Sequence, residues 1–431
     1  MRGYGLMDAC QKSTAITTVA LLHLFASGIW LPAAAGPCCA DIESRITEIE
    51  NALARKGNRK VSLRVYGQVN RAIMAWDDGE ETNVYEVDNE TSTTRLGFLG
   101  STPINGDWSA GYRLEIETIG AGSNFVSANS DDGLPQNNDV RLRHSYWYIA
   151  NRHLGRLSVG QQSQATDNIT IINLGAQMSD AALHYNNRFD VKTKGPAPEM
   201  NLTWGALAFT VDSFRGNFVR YDTPILDGFL ISAAWGEDDF ADIAIRYAKN
   251  WSQFRLAAGI GYMNNRERDF SDLRGSASLF HDPSGVYLSL AGGLRDDKGG
   301  VVVSNTSLGY FQYYQLGLKT SITSLGATTF YGDFGRYDNF GVGDEIELMQ
   351  SRWPRHGLTD STLERWGVGM EQNLDAAGVL LYAQYHHYDA RFSAIGCTTA
   401  QLSTPCLPGS EADDFTAKPW QTGVLGARIQ F

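Results

Sequence analysis

The sequence predicts an all-β protein, a transmembrane antiparallel β-barrel of about sixteen strands behind a short N-terminal coiled-coil helix. Three observations carry that expectation. Apolar and polar residues alternate with a period of two through most of the chain. Many of the alternating segments are close to the roughly 9–11 residues that a tilted strand needs to cross a bilayer. The connections between them take turns, short then long, as barrel hairpins facing two different compartments do. A soluble sandwich also alternates, but nothing in it requires that order of connections.

Composition excludes the other membrane architecture. The chain has 431 residues, 19% of them charged, and a formal net charge of −12; its mean hydropathy is −0.27. A helical membrane protein would show several apolar runs of about 20 residues. The one long apolar run, residues 13–35 with His23 inside it, lies at the start. Arg2 and Lys12 precede it, and Ala33-Ala34-Ala35 or Cys38-Cys39-Ala40 follows as a site for a signal peptidase. Residues 1–40 are therefore expected to be an export signal; the alternative is a retained helical anchor. The acidic balance argues against nucleic acid as a partner, because phosphates attract clustered Lys and Arg.

Cleavage after Ala40 would leave Cys397 and Cys406 as the remaining cysteines. They lie close together in a loop, and an oxidising compartment favours a small-loop disulfide between them. Lipid attachment at Cys38 or Cys39 is the alternative, poorly served by Gly36-Pro37. No cysteine pair has metal-site spacing, and neither metal nor cofactor is expected.

Residues 41–58 read as a helix. Ile42, Ile46, Ile49 and Leu53 form one coiled-coil seam flanked by Glu43, Arg45, Glu48 and Glu50, and isoleucine at both seam positions leans towards three strands. About two heptads are marginal alone, so a single amphipathic helix lying on the domain is the other reading. Gly57-Asn58 ends it.

From residue 60 the period is two. Leu425, Ala427, Ile429 and Phe431 share one face, with Val424, Gly426, Arg428 and Gln430 on the other. Leu96 and Phe98 alternate with Arg95 and Gly97. Ala110, Tyr112, Leu114 and Ile116 oppose Gly111, Arg113, Glu115 and Glu117. Val140, Leu142, Tyr146 and Tyr148 are expected opposite Arg141, Arg143, Ser145 and Trp147. Short connections fall near 103–107, 151–154, 224–228, 249–252, 281–285, 321–325 and 373–377. Long polar ones fall near 77–91, 120–139, 163–216, 295–308, 337–362 and 390–419, with two shorter ones near 237–239 and 264–272. Aromatics such as Trp235, Tyr262, Tyr314, Trp366 and Phe431 sit near strand ends, where interfacial girdles would place them.

These strands carry a resemblance. Thr93-Thr94-Arg95-Leu96-Gly97-Phe98-Leu99-Gly100, Arg143-His144-Ser145-Tyr146-Trp147, Gly155-Arg156-Leu157-Ser158-Val159-Gly160-Gln161, Val219-Arg220-Tyr221-Asp222-Thr223-Pro224 and the terminal Gly426-Ala427-Arg428-Ile429-Gln430-Phe431 occur in order. In that order the chain resembles the trimeric porins of Gram-negative bacteria, the alphaproteobacterial type most of all, over residues 59–431. The resemblance implies a homotrimer with three pores for passive diffusion of small hydrophilic solutes and ions, set in outer-membrane lipid and lipopolysaccharide. It also implies that Phe431 belongs to the signal read by the barrel-assembly machinery, and that the coil registers the trimer or contacts the periplasmic wall layer.

The same resemblance makes the longest connection, 163–216, the loop that folds into the lumen. It carries Asp167, Asp180, Asp190 and Glu199; Asp167 and Asp180 are the expected constriction acids. Strand parity puts Arg64, Arg95, Arg141, Arg143, Arg156 and Arg220 on the wall of the first six strands, with Arg95, Arg143 and Arg220 matching the family's wall arginines best. Opposed carboxylates and guanidiniums across a narrow water path would create a transverse field that sets charge preference. The loop is longer than usual and lacks the Pro-Glu-Phe-Gly type stretch of enterobacterial relatives.

Other readings have their own signatures. A sugar-selective channel would stack aromatics along the lumen, where Trp147, Tyr66 and Tyr313 are scattered candidates. An outer-membrane enzyme would need a Ser-His pair at one rim, and the sequence shows none. A barrel adhesin would carry aromatic, apolar loops, whereas these are mainly polar. His386 and His387 are adjacent on a strand and so point to opposite faces. Asp77-Asp78 with Glu80-Glu81, and Glu237-Asp238-Asp239, read as solvated loop tips or as divalent-cation sites near lipopolysaccharide. Gly259-x-Gly261 is strand glycine, not a nucleotide fingerprint.

Overall fold

A computed structural model describes residues 61–118, 120–133, 140–195, 200–208, 215–236, 239–267, 269–297, 308–340, 345–347, 355–397 and 408–431. The chain divides between Asn58 and Arg59, and all described residues belong to the second part. The expected signal, the coiled coil and the Cys397–Cys406 disulfide lie outside what is described, as does Glu199.

The strands follow one another along the chain. The first six are β1 (Arg64–Asp77), β2 (Thr82–Asp88), β3 (Arg95–Pro103), β4 (Trp108–Thr118), β5 (Val140–Asn151) and β6 (Gly155–Ser163). After the long loop come β7 (Arg215–Asp222), β8 (Phe229–Gly236), β9 (Phe240–Trp251), β10 (Phe254–Asn265), β11 (Phe270–His281) and β12 (Val286–Asp297). The last seven are β13 (Leu308–Thr323), β14 (Gly326–Asp338), β15 (Glu345–Glu347), β16 (Arg355–Leu374), β17 (Val379–Cys397), β18 (Pro408–Thr416) and β19 (Trp420–Gln430).

Strand pairs in sequence neighbour one another antiparallel, and β19 returns to β1, pairing Gln68 with Gln430 through Asp77 with Gln421. β2 and β3 both lie against β1, parted by the turn Glu90–Ser92, and fill one position in the wall. β18 and β19 share a position against β17 in the same way. β15 is a short rung on β16, where β14 already pairs. The result is a closed barrel of 16 wall strands, and closure removes the free edges that would otherwise expose backbone donors and acceptors.

The side-chain period explains which way each strand faces. Ile73 and Leu425 are opposite each other on β1 and β19, and both point outward, Leu425 remaining 62% exposed. Between them on the inner side Gln68, Asn70 and Arg428 are buried. Apolar outside and polar inside is the reverse of a soluble sandwich, and it is the arrangement a bilayer stabilises.

Two expectations about the strands are corrected. On β5 the pairing slips: Glu115 faces His144, but Ile116 faces Leu142, so Arg143 is an extra residue. A bulge of this kind reverses the phase beyond it. Val140 and Leu142 point outward as expected, yet past the bulge Trp147 points outward, 48% exposed, and Tyr146 and Tyr148 turn inward. The connection near 77–91 is also mostly strand. Tyr85 and Val87 of β2 bury inward against β1, and the tip at 78–81 turns, with the Asp78 carboxylate accepting from the N–H groups of Glu80 and Glu81 at 2.9 and 2.8 Å.

Candidate functional site: a loop facing an arginine wall

The chain between β6 and β7 runs inside the barrel, and the inner wall is built to receive it. Serines on β11 meet its backbone: the Ser276 hydroxyl donates to the Ile169 carbonyl at 2.6 Å, and the Leu174 N–H donates to Ser278 at 3.0 Å. Glycines on β10 make room, since a Cβ at Gly259 would lie 2.5 Å from the Ile169 Cδ1 and one at Gly261 2.5 Å from the Thr166 Cγ2. That close approach is the reason for the glycine pair. Further round, the N–H groups of Gln177 and Met178 donate to the Glu371 carboxylate at 2.8 and 2.7 Å. Arg365 donates to the carbonyls of Asp180 and Ala182, and Tyr337 to that of Ala181. The loop thus follows the wall, and the backbone groups named here gain wall partners in place of water.

Its second half leaves the wall and enters an apolar cluster. Phe189, Trp204 and Leu207 pack with Trp76, Tyr388 and Trp420, all buried, with ring centroids 4.8 Å apart for Phe189–Trp76 and 5.2 Å for Phe189–Trp420. The extra length of the loop is spent on this core.

The loop hugs one side, so the opposite side, β3 to β9, faces open lumen. Two cavities of about 320 and 450 Å³ lie there and share Arg113, His144, Ser163, Asp167 and Asn168. Glu115 anchors the wall between them. It accepts from the Tyr66 hydroxyl at 2.5 Å, Arg113 at 2.7 Å and Arg143 at 2.8 Å. Glu117 accepts from Thr93 at 2.7 Å and also from Arg141 and Arg143.

The sequence-derived residues fall in different places. Arg143 is buried between Glu115 and Glu117 and lines the larger cavity together with Arg95, which donates to the Ser92 hydroxyl at 3.0 Å. Arg156 lines the smaller cavity. It donates to Ser158 and to the Tyr146 hydroxyl, each at 3.0 Å, and lies over the Tyr148 ring at 4.3 Å. Arg220 lines it too, 2.8 Å from Asp222 and donating to the Gln164 carbonyl at 2.9 Å. Arg64, opposite Leu99, and Arg141, held by Glu117, line neither cavity.

Of the loop acids, Asp167 faces the wall, 4% exposed and 3.9 Å from Arg215. Asp180 is turned into the seam between loop and wall, where it meets His184 at 2.9 Å and the Ala182 N–H at 2.8 Å. Burial pushes its carboxyl up, but His184 and that N–H outweigh it, and the group is held below the usual carboxylate range. Asp190 pairs through its backbone with Thr203. Of the three candidate aromatics, Tyr313 lies behind the loop beside Ser179, Trp147 is outside the barrel and Tyr66 borders the larger cavity, while Tyr146 borders the smaller one. His386 is inward, 3.4 Å from Asp333, while His387 is outward and stacked on Trp366. Phe431 closes the seam with β1, exchanging backbone hydrogen bonds with Gly67 at 2.9 and 3.1 Å.

Arg113, Arg215 and Arg246 complete the wall and were not singled out from sequence. The parity of β4 already carried the signal for Arg113, which shares a face with Glu115 and Glu117. With Arg113 common to both, each cavity is lined by four arginines, so seven guanidiniums face three carboxylates, Asp167, Asp222 and Glu115. Such a site attracts and orients anions and dipoles in water without needing any bond to break.

The family model described as Gram-negative porin matches residues 26–393. No curated protein matches the sequence. Among solved structures, the chain is similar to the anion-selective porin from Comamonas acidovorans, at 15% identity and a TM-score of 0.53, covering 86% of this chain and 100% of that one. It is similar also to OmpT, an outer membrane protein of Vibrio cholerae, at 12% identity and a TM-score of 0.50, covering 88% and 99%. At these identities the likeness concerns the fold.

Proposed function

Since the chain belongs to the Gram-negative porins and forms an outer-membrane channel, we propose that it conducts small hydrophilic solutes passively, with a preference for anions and without catalysis. The observation that carries this reading is the surplus of guanidiniums where the loop faces the wall. The wall acids are already engaged by arginine and hydroxyl donors, and Asp180 is turned away, so among the described loop acids Asp167 is the one that lines the path. A cation entering this path meets net positive charge in a space with low-dielectric walls, which focus the field. A sugar-selective channel finds less support, because the lumen aromatics form no continuous track.

The reading includes a homotrimer. Arg71, midway along β1, points outward between Val69 and Ile73 and lies 3.4 Å from Glu86 of β2. An arginine on the lipid face costs about 2–4 kcal/mol at the bilayer midplane. Covering by a second copy of the chain removes that exposure. Lipid and lipopolysaccharide would meet the remaining apolar faces, and the barrel-assembly machinery would engage the strand ending in Phe431.

Single-channel recording of the purified protein tests the reading. Conductance steps in threes and a reversal potential of anion-preferring sign under a KCl gradient are expected. Single steps would overturn the trimer, and a cation-preferring sign would overturn the selectivity.

A further inference from the structure

We propose that the arginine-lined path holds a saturable site for a small tetrahedral oxyanion, of which phosphate is the chemical type; the inference rests on the anion-preferring reading above. Its centre is the smaller cavity, of about 320 Å³, where Arg156, Arg220 and Arg246 approach from β6, β7 and β9. Each comes from a different strand, so the donors converge from several directions rather than forming one fork.

The charge of Arg156 is the least spent. Its printed partners are the Ser158 and Tyr146 hydroxyls at 3.0 Å and the face of Tyr148, and it has no carboxylate ion-pair partner among the described residues. Packing on Tyr148 fixes the guanidinium plane, so little side-chain entropy is lost when a ligand arrives. Arg220 is steadied by Asp222 and by the carbonyls of Ser163 and Gln164. Arg246 donates to the Asp167 carbonyl at 2.6 Å. All three are thereby preorganised around one volume.

The loop contributes its tip. Asn168 lines both cavities and adopts φ +61°, a left-handed conformation that asparagine tolerates better than most residues. Asp167 beside it lies 3.9 Å from Arg215, and with Asp222 it leaves the smaller cavity lined by four arginines against two acids.

A carboxylate accepts a guanidinium fork in one plane. Donors arriving from several strands suit a tetrahedral group, whose oxygens point in as many directions and which stays anionic at neutral pH. Such a site raises flux at low concentration and saturates at high concentration, as conduction through binding sites requires.

The test uses the intact trimer in planar bilayers, with inorganic phosphate as the probe and chloride as the carrier. Chloride current is expected to fall with added phosphate along a saturating curve. Arg156→Ala with Arg220→Ala should raise the half-blocking concentration at least tenfold, while Arg152→Ala, at an exposed turn, should leave it unchanged. If the double variant fails to assemble, Arg156→Gln alone is expected to raise it severalfold. A wild-type channel that prefers anions but shows no saturating block overturns the site and leaves the selectivity standing. Equal block by succinate overturns the tetrahedral assignment. A channel without anion preference removes the premise of both.

Discussion

Arg143 Nε lies 2.8 Å from the Glu115 carboxylate, and the same guanidinium reaches Glu117 through Nη1. One arginine, carried by the extra residue of a bulge, therefore bridges two wall acids. Replacing it leaves Glu115 to Arg113 and Tyr66, and Glu117 to Arg141 and Thr93, with one positive charge fewer between them. Arg143→Ala should lower stability by about 3 kcal/mol, the usual cost of stripping one partner from a buried pair. Together with Arg95→Ala it should shift the reversal potential towards cations. Adding Glu117→Gln should recover part of the stability, read from the temperature at which the folded barrel unfolds on gels.

Glu371 holds the loop against the wall through two backbone N–H groups. Charge-assisted hydrogen bonds contribute roughly 1.5–3 kcal/mol each, and the Met178 N–H is left buried without a partner if the acceptor goes. Glu371→Leu is expected to release the loop segment around Met178 without opening the barrel. Single-channel traces should then show larger, noisier currents, while the far-ultraviolet circular dichroism of the strands stays unchanged.

Gly259 tests the fit from the other side. A valine there would push its branched carbons into the Ile169 side chain, already 2.5 Å from where a Cβ would sit. Overpacking typically costs about 1–3 kcal/mol, and the loop is the part that can yield, towards the arginines. Gly259→Val should therefore lower conductance, measured as single-channel current at fixed voltage, with little change in barrel folding.

The Asp180–His184 contact supplies a pH dependence whose sign follows from its chemistry. Asp180 is held below the usual carboxylate range, so its stabilisation of the loop is present above the unfolded value, about 3.9, and is lost as pH falls through the lower folded value. Current noise should stay flat from neutral pH down to about 4 and rise only below it. Asp180→Asn should raise the noise at neutral pH and flatten that acid rise.

The barrel was legible in the sequence because its causes are local. Alternation along β19 and β4 is a direct record of which side meets lipid, and the hairpin lengths record which compartment each turn enters. The site was less so. A bulge adds one residue without any mark in composition, so the phase of Trp147 and Tyr146 could not be read across Arg143. Asp167 and Asp180 look alike in sequence, yet one faces the wall arginines and the other a histidine in the seam, because only the folded path of the loop separates them. Phe189, Trp204 and Leu207 did carry a signal: large apolar residues in a supposedly water-bathed loop point to a second core.

The surplus of guanidiniums is the claim on which the selectivity reading stands, and the reversal potential of an Arg156→Glu, Arg220→Glu channel under a KCl gradient tests it most directly. Two charge reversals remove four positive units, enough to cancel the excess over Asp167, Asp222 and Glu115. The predicted result is loss of the wild-type anion preference or its inversion towards potassium. A reversal potential identical to that of the unmodified channel would place the selective path elsewhere and contradict the account.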